Sequence, residues 1–185
     1  TRVDASQLIE KGRENLILQS NSFNVSTWNK NAGGTFTSGQ SGYDGTNDAW
    51  QFNVTTASNS GAWQNITFSG VATFSAYFKK GTLDKIGFTN YSGSGYECWF
   101  DLTNGTIGQQ TGDLIDAKIV SVGGGWYRCS ITDLASGNNY FQLKPSNSYS
   151  GTSIAGNIYI QDSQVELGLV ATSVIETGAS TAQAG

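Results

Sequence analysis

The sequence has no histidine and no methionine, and only one proline and two cysteines among its 185 residues. Without histidine, the usual zinc, non-haem iron and Ser-His or Cys-His constellations have no imidazole to build on, and most hydrolase mechanisms lose their base. Charge is also scarce. Charged residues make up 13%, and 10 Lys+Arg against 14 Asp+Glu leave a formal net charge of -4, so there is no basic footprint for nucleic acid. No apolar run approaches the length that crosses a bilayer, and no charged start followed by an apolar segment marks a secretory signal, so no membrane partner is expected. A chain that begins on Thr1 and lacks methionine throughout reads as a piece of a longer polypeptide.

What the sequence has in abundance is Gly, Ser, Thr and Asn, with few charges, the composition of turn-rich β proteins exposed outside the cell. Its length suits one β-sandwich with a real core. Residues 1–13 show no clean period and read as a linker from an upstream domain. Residues 14–175 carry the folded domain, and the Gly/Ala/Ser/Thr-rich stretch 176–185 reads as a flexible tail or linker. From residue 48 onward, short runs of alternating apolar and polar residues recur between Gly-, Asn- and Ser-rich turns. That pattern predicts an all-β fold of two antiparallel sheets.

Successive side chains of a strand point to opposite faces, so alternation sorts the residues. Ala72, Phe74, Ala76 and Phe78 are predicted to face the core, with Trp50, Phe52, Val54, Ile86, Phe88, Cys98, Phe100, Leu102, Tyr127, Cys129, Ile131, Phe141, Leu143, Ile158 and Ile160. The complementary set points outward: Trp63, Lys85, Glu97, Trp99, Arg128, Tyr140, Gln142, Lys144, Tyr159 and Gln161. In the last strand the apolar parity flips between Ile160 and Val165, which predicts a β-bulge within Gln161 to Gln164. Cys98 and Cys129 both fall on core-facing positions; two buried thiols are favoured, but spacing leaves a disulfide open.

Other signals read as turns. Asp44-Gly45-Thr46-Asn47-Asp48 resembles part of a calcium loop but lacks the later Glu, and Gly123-Gly124-Gly125 lacks the lysine and helix of a phosphate loop. Glu97 and Asp101 share a strand face, but four residues of extended chain put them about 13 Å apart at Cα, long for a glycosidase carboxylate pair. A Tyr-Lys-Arg lyase site on the exposed face is a lesser alternative.

Several segments resemble the non-catalytic domains of bacteriophage tail and structural proteins and of related bacterial surface proteins. They are Thr1-Arg2-Val3 with Gln7-Leu8-Ile9-Glu10, Arg13-Glu14-Asn15-Leu16-Ile17-Leu18-Gln19-Ser20, Gly125-Trp126-Tyr127-Arg128-Cys129-Ser130 and Gln164-Val165-Glu166-Leu167-Gly168. Those domains are similar in turn to jelly-roll carbohydrate-binding modules, which open with an Asn-Leu strand, a Phe and a Trp, here Asn15-Leu16, Phe23 and Trp28. Such modules close on a strand like Ile158-Tyr159-Ile160-Gln161-Asp162. The resemblance implies a jelly-roll sandwich, extracellular or on a virion surface, that recognises a polysaccharide or cell-surface glycan. It also implies one structural calcium ion near Asn24 and Asp162. The acidic residue common after the early Phe is replaced here by Asn24, a weaker ligand.

In an eight-stranded jelly roll the segments around Trp63, Ile86, Cys98 and Phe141 fall in one sheet. Their outward residues Trp63, Lys85, Glu97, Trp99, Tyr140, Gln142 and Lys144 combine flat aromatic surface with planar hydrogen-bonding groups, as a pyranose ring requires. Trp99, between core-facing Cys98 and Phe100, is the expected stacking platform, exposed on a rigid strand. Lys85 and Lys144 leave the charge of the glycan open. The opposite sheet, with Tyr77, Lys79, Arg128, Tyr159 and Gln161, is a second candidate face. The alternative function is a structural or oligomer-forming phage-particle domain whose aromatics are buried against a partner chain. For catalysis the expectation is negative: on a polysaccharide panel the pure chain releases neither reducing ends nor unsaturated products, and turnover abolished by mutating one acidic or Tyr residue is the contrary result.

Overall fold

The computed structural model describes residues 2–3, 9–10, 12–31, 33–55, 61–90, 96–149 and 154–183. In chain order the strands are β1 (Arg2–Val3), β2 (Ile9–Glu10), β3 (Glu14–Asn15), β4 (Asn29–Lys30), β5 (Thr35–Gln40), β6 (Ala49–Val54) and β7 (Ala62–Lys80). They continue as β8 (Lys85–Asn90), β9 (Tyr96–Asp101), β10 (Thr106–Thr111), β11 (Asp116–Gly123), β12 (Trp126–Ser146), β13 (Gly156–Leu167) and β14 (Ala182–Gln183). No helix occurs among the described residues. The fold is the anticipated two-sheet antiparallel β-sandwich of jelly-roll type.

The two longest strands build both layers. β7 and β12 pair continuously from Trp126 opposite Lys79 to Leu143 opposite Ala62. The ribbon turns a corner where Gly70 (φ 113°) and Gly137 (φ 78°) adopt a backbone that β-carbon-bearing residues rarely tolerate. On one side of the corner, β12 pairs with β8, β8 with β9 and β9 with β10, while β4 closes the far edge on β7. This is sheet A, in the order β10-β9-β8-β12-β7-β4. On the other side, β12 pairs with β11 and β7 with β13, followed by β6 and β5. This is sheet B, in the order β11-β12-β7-β13-β6-β5. The four segments assigned to one sheet from the sequence, around Trp63, Ile86, Cys98 and Phe141, do share sheet A.

The core lies between the layers and is held by aromatic contacts across them. Phe74 of sheet B stands 4.7 Å from Phe88 and 5.2 Å from Phe141 of sheet A, ring centre to ring centre, and Phe78 stands 5.5 Å from Phe88. Cys98 and Cys129 are buried free thiols. Burial pushes the Cys98 thiol up to about 12, which removes it as a nucleophile at neutral pH. The parity flip in the last strand is a bulge between Gln161 and Gln164, with Asp162 at φ 52°. All three glycines of Gly123-Gly124-Gly125 have positive φ and turn β11 into β12.

At the chain ends, Arg2–Val3 pairs with Ile9–Glu10; the rest of 1–11 lies outside the described residues. The stretch after 175 is bonded to residues 14–20 as far as Gln183. β14 pairs with β3, the Gln19 N–H donates to the Gly178 carbonyl at 2.8 Å, and the Thr177 N–H donates to Ser20 Oγ at 2.9 Å. Small residues without period form an edge as readily as a linker when a neighbouring strand offers its free side.

Buried Asn15 knits these pieces together. Its Nδ2 donates to the carbonyls of Ser163 (3.1 Å) and Ile175 (2.8 Å), and its Oδ1 accepts from the amides of Ile17 and Val165, both at 3.0 Å. One side chain thereby ties backbone groups near residue 15 to two stretches near the C-terminal end, around residues 163–165 and at 175. Replacing Asn15 by Ala strands those groups in the interior, at about 1–3 kcal/mol for each unsatisfied group before relaxation. The variant is expected to lose at least about 3 kcal/mol of unfolding free energy in urea titration, whereas Asn24→Ala, at an exposed position, stays within about 0.5 kcal/mol of the parent.

Candidate functional site

The outer face of sheet A carries the residues expected to meet a sugar, in three rows set by the strand register. Trp63, Gln142, Thr89 and Glu97 follow one another across β7, β12, β8 and β9; Lys144, Gly87 and Trp99 form the next row, and Ser146, Lys85 and Asp101 the third. The alternation therefore placed Trp63, Lys85, Glu97, Trp99, Gln142 and Lys144 together on the correct side, and Tyr140 joins them with its ring 5.2 Å from that of Trp63.

Exposure is where the expectation fails. Trp99, expected as an open stacking platform, is 0% exposed, and Gln142 is 2% exposed; Lys144 is buried as well. Trp63, Lys85, Glu97 and Tyr140 are half-buried. One contact that buries Trp99 lies in the neighbouring strand: Gly87 has no side chain, and a β-carbon there would come within 2.8 Å of the indole ring. The indole drops into that vacancy and lies down on the sheet instead of projecting from it.

The charges on this face are matched. Lys85 Nζ is 3.2 Å from both Asp84 and Asp101, and Lys144 Nζ is 3.5 Å from Glu97. Burial pushes the Asp101 carboxyl up, but the Asn104 and Thr103 amides and the Lys85 ammonium outweigh it and hold the group well below the usual carboxylate range. Asp101 is thus a fixed anion, which disqualifies it as a general acid. Tyr149 adds a wall that the sequence reading missed. Its hydroxyl donates to Asp101 Oδ2 at 3.3 Å, its ring lies 5.1 Å from Lys85 Nζ, and it fills the space beside Gly108 where a β-carbon would sit. A lone aromatic in the turn-rich run Pro145-Ser146-Asn147-Ser148-Tyr149 was the one available signal.

Two donors on this face are buried without a partner: Trp99 Nε1 and Gln142 Nε2. Gln142 Oε1 accepts from the Thr89 hydroxyl at 3.4 Å, so the amide is oriented with its NH2 group left over. A buried N–H without an acceptor costs about 1–3 kcal/mol, and folded proteins rarely carry one without a use for it. The two donors lie beneath a surface that carries an aromatic pair and matched charges.

The second candidate face, on sheet B, is covered by the protein itself. Tyr43 stacks on Tyr77 with ring centres 3.7 Å apart and planes at 4°, and Trp126, Tyr159 and Val174 pack around them. Gln161 is bound by Asp48 at 2.7 Å, by Asp44 at 3.3 Å and by the Tyr43 amide at 3.1 Å.

Asp162 sits beside this cluster. The amide side chain next to it is that of Asn21, whose Oδ1 accepts from the Asp162 N–H at 3.4 Å; Asn24, expected as its calcium partner, is exposed. Asp162 Oδ2 accepts from the Tyr43 hydroxyl at 2.9 Å, and Oδ1 is buried without a partner. Among the described residues no group of three or more His, Cys, Asp or Glu side chains could hold a metal ion.

Burial, together with Glu176, Asp48 and Asp44, pushes the Asp162 carboxyl up to about 6, although the Tyr43 hydrogen bond opposes it. The folded chain therefore holds this proton more tightly than the unfolded chain, so its contribution to stability is present at pH 4 and is lost as pH rises towards 6. Asp162→Asn is expected to be more stable than the parent at pH 8 by about 2 kcal/mol, with the difference vanishing near pH 4. Melting curves at both pH values check this. Calcium that raises the parent's melting point at pH 8 and cancels the advantage of the Asp162→Asn variant is the result that would instead place a cation on Asp162.

No protein-family model matches the chain, and no curated protein matches it. Solved structures do. The CBM22-1 xylan-binding domain of Paenibacillus barcinonensis Xyn10C superposes with a TM-score of 0.51 at 14% identity, covering 89% of this chain and all of that domain (100%). The CBM22-2 xylan-binding domain of the same protein gives 0.46 at 8% identity, covering 84% of this chain and 98% of that one. The CBM22-1-GH10 modules of Clostridium thermocellum endo-1,4-beta-D-xylanase 10B, complexed with xylohexaose, give 0.49 at 12% identity and 89% coverage of this chain. The present chain spans 30% of that xylanase fragment. The likeness to the first of these is one of fold, the jelly-roll sandwich of a carbohydrate-binding module. The phage-particle resemblance has no counterpart among these structures.

Proposed function

We propose that the chain is a non-catalytic carbohydrate-binding module, working outside the cell, that takes a polysaccharide or cell-surface glycan on the outer face of sheet A. The observation that carries this reading is the pair of half-buried rings of Trp63 and Tyr140, 5.2 Å apart and tilted, on a face whose charges are matched. The C–H faces of a pyranose suit the two tilted rings, and the half-buried Glu97 beside them can meet its hydroxyls. Trp99 is then part of the support beneath the site, and the stacking falls to Trp63 and Tyr140.

Lys85 and Lys144 are already paired with carboxylates, so the face has no cation to spare and selects an uncharged glycan. The absence of histidine and the clamped Asp101 leave it without an acid-base pair.

A glycan array followed by calorimetry tests the reading. The parent is expected to bind neutral polysaccharides with an affinity that changes little between low and high salt. Trp63→Ala and Tyr140→Ala should each weaken binding about tenfold or more, the consequence of losing about 1–3 kcal/mol at an interface anchor, with melting points near the parent's. Trp99→Ala should cost about 3–5 kcal/mol of stability because it empties a buried site. Unchanged affinity in both the Trp63 and Tyr140 variants, or a preference for acidic glycans, counts against the proposal.

A further inference from the structure

The outer face of sheet B is overlaid by the segment that follows β13. The Thr73 and Thr132 hydroxyls donate to the carbonyls of Gly168 (2.9 Å) and Leu169 (3.4 Å), and the Glu166 carboxylate accepts from the Thr172 amide at 2.9 Å. Between this segment and the edge strand β11 runs a groove of about 350 Å³. Its walls are aliphatic and solvent-facing: Val120 (55% exposed) and Val122 on β11, Leu169 (61% exposed) and Val170 across from them. Arg128 lies in its floor, directly opposite Val120 in the strand register and flanked by Tyr77 on the other side.

Among the described residues Arg128 has no counter-charge. Its Nη2 donates to Ser75 Oγ at 3.2 Å and to the Thr172 carbonyl, its guanidinium stands 5.3 Å over the Tyr77 ring, and its Nε is buried without a partner. The carboxylate on the groove's rim, Asp116, is held by Lys118 at 2.7 Å, and Glu166 is engaged by Thr172 and by Gln164 at 2.6 Å. A half-buried guanidinium held only by neutral oxygens is an incomplete arrangement, because a charge removed from water is ordinarily matched by an opposite one. A fork of planar donors is also the shape that receives a carboxylate.

We propose that this groove is a second binding site, separate from the glycan face, for a ligand built as an aliphatic chain ending in a carboxylate. The carboxylate pairs with Arg128, and the chain lies between the valines of β11 and the Leu169-Val170 wall. That chemistry is shared by the C-terminus of an apolar peptide and by a short fatty acid.

The test is a chemical-shift titration of the full chain with four probes: hexanoate, an N-acetylated divaline with a free carboxyl end, hexanol and glucuronate. Hexanoate or the divaline peptide should shift amides of β11, β12 and residues 169–171, with hexanol at least tenfold weaker, and the tighter of the two acids identifies the source. The decisive variant is Val120→Glu at an exposed position, which places a resident carboxylate opposite Arg128, where facing β-carbons lie about 5 Å apart. It should raise the melting point and abolish acid binding, while Val120→Gln does neither. Binding of hexanol or glucuronate as tight as that of hexanoate, acid binding that survives in Val120→Glu, or no shifts in the groove with any probe each overturns the proposal.

Discussion

The continuous pairing of β7 with β12 is the constraint on which the rest of the molecule depends. Because both strands run through both layers, the corner at Gly70 and Gly137 fixes how the sheets face one another. Four strands attach directly to this ribbon, β8 and β11 to opposite ends of β12 and β4 and β13 to opposite ends of β7. The aromatic core of Phe74, Phe78, Phe88 and Phe141 fills the space that the corner defines. Even Pro145 follows from it. The β7–β12 pairing ends at Leu143, so beyond that point the missing N–H of a proline removes no bond to β7.

A sandwich has two inner faces and two outer ones, and here the outer faces are finished in different ways. On sheet B the chain covers itself: Tyr43 stacks on Tyr77, Gln161 is saturated, and the segment after β13 is bonded down through Thr73, Thr132 and Glu166. What is left open there is a narrow groove and one cation. On sheet A the charges are neutralised by neighbours, yet two buried donors remain without acceptors. Polar groups withheld from water are costly, so the places where the molecule tolerates that cost are the places where a partner is expected. The two faces therefore call for different chemistry, a partner that stacks on aromatic rings on one and a carboxylate on the other.

The sequence by itself determined the all-β class, the grouping of strands around Trp63, Ile86, Cys98 and Phe141 in one sheet, the side of the sheet on which each residue stands, and the bulge between Gln161 and Gln164. The sides and the bulge follow from a period of two, a property of the isolated strand that no tertiary contact can change, and the grouping of strands follows from the jelly-roll order that the resemblance implied. Only the tertiary structure decided which of the outward residues meet solvent. Trp99 lies flat because a different strand has a glycine at position 87, Tyr77 is hidden because a loop brings Tyr43 onto it, and Arg128 lacks a counter-ion because the neighbouring carboxylates are engaged elsewhere. The edge formed by residues 177–183 was equally out of reach, since it depends on a side chain at position 15 and on a free strand edge more than 150 residues away in sequence. Alternation reports direction along one strand, whereas exposure is the sum of what all the other strands and loops place above it.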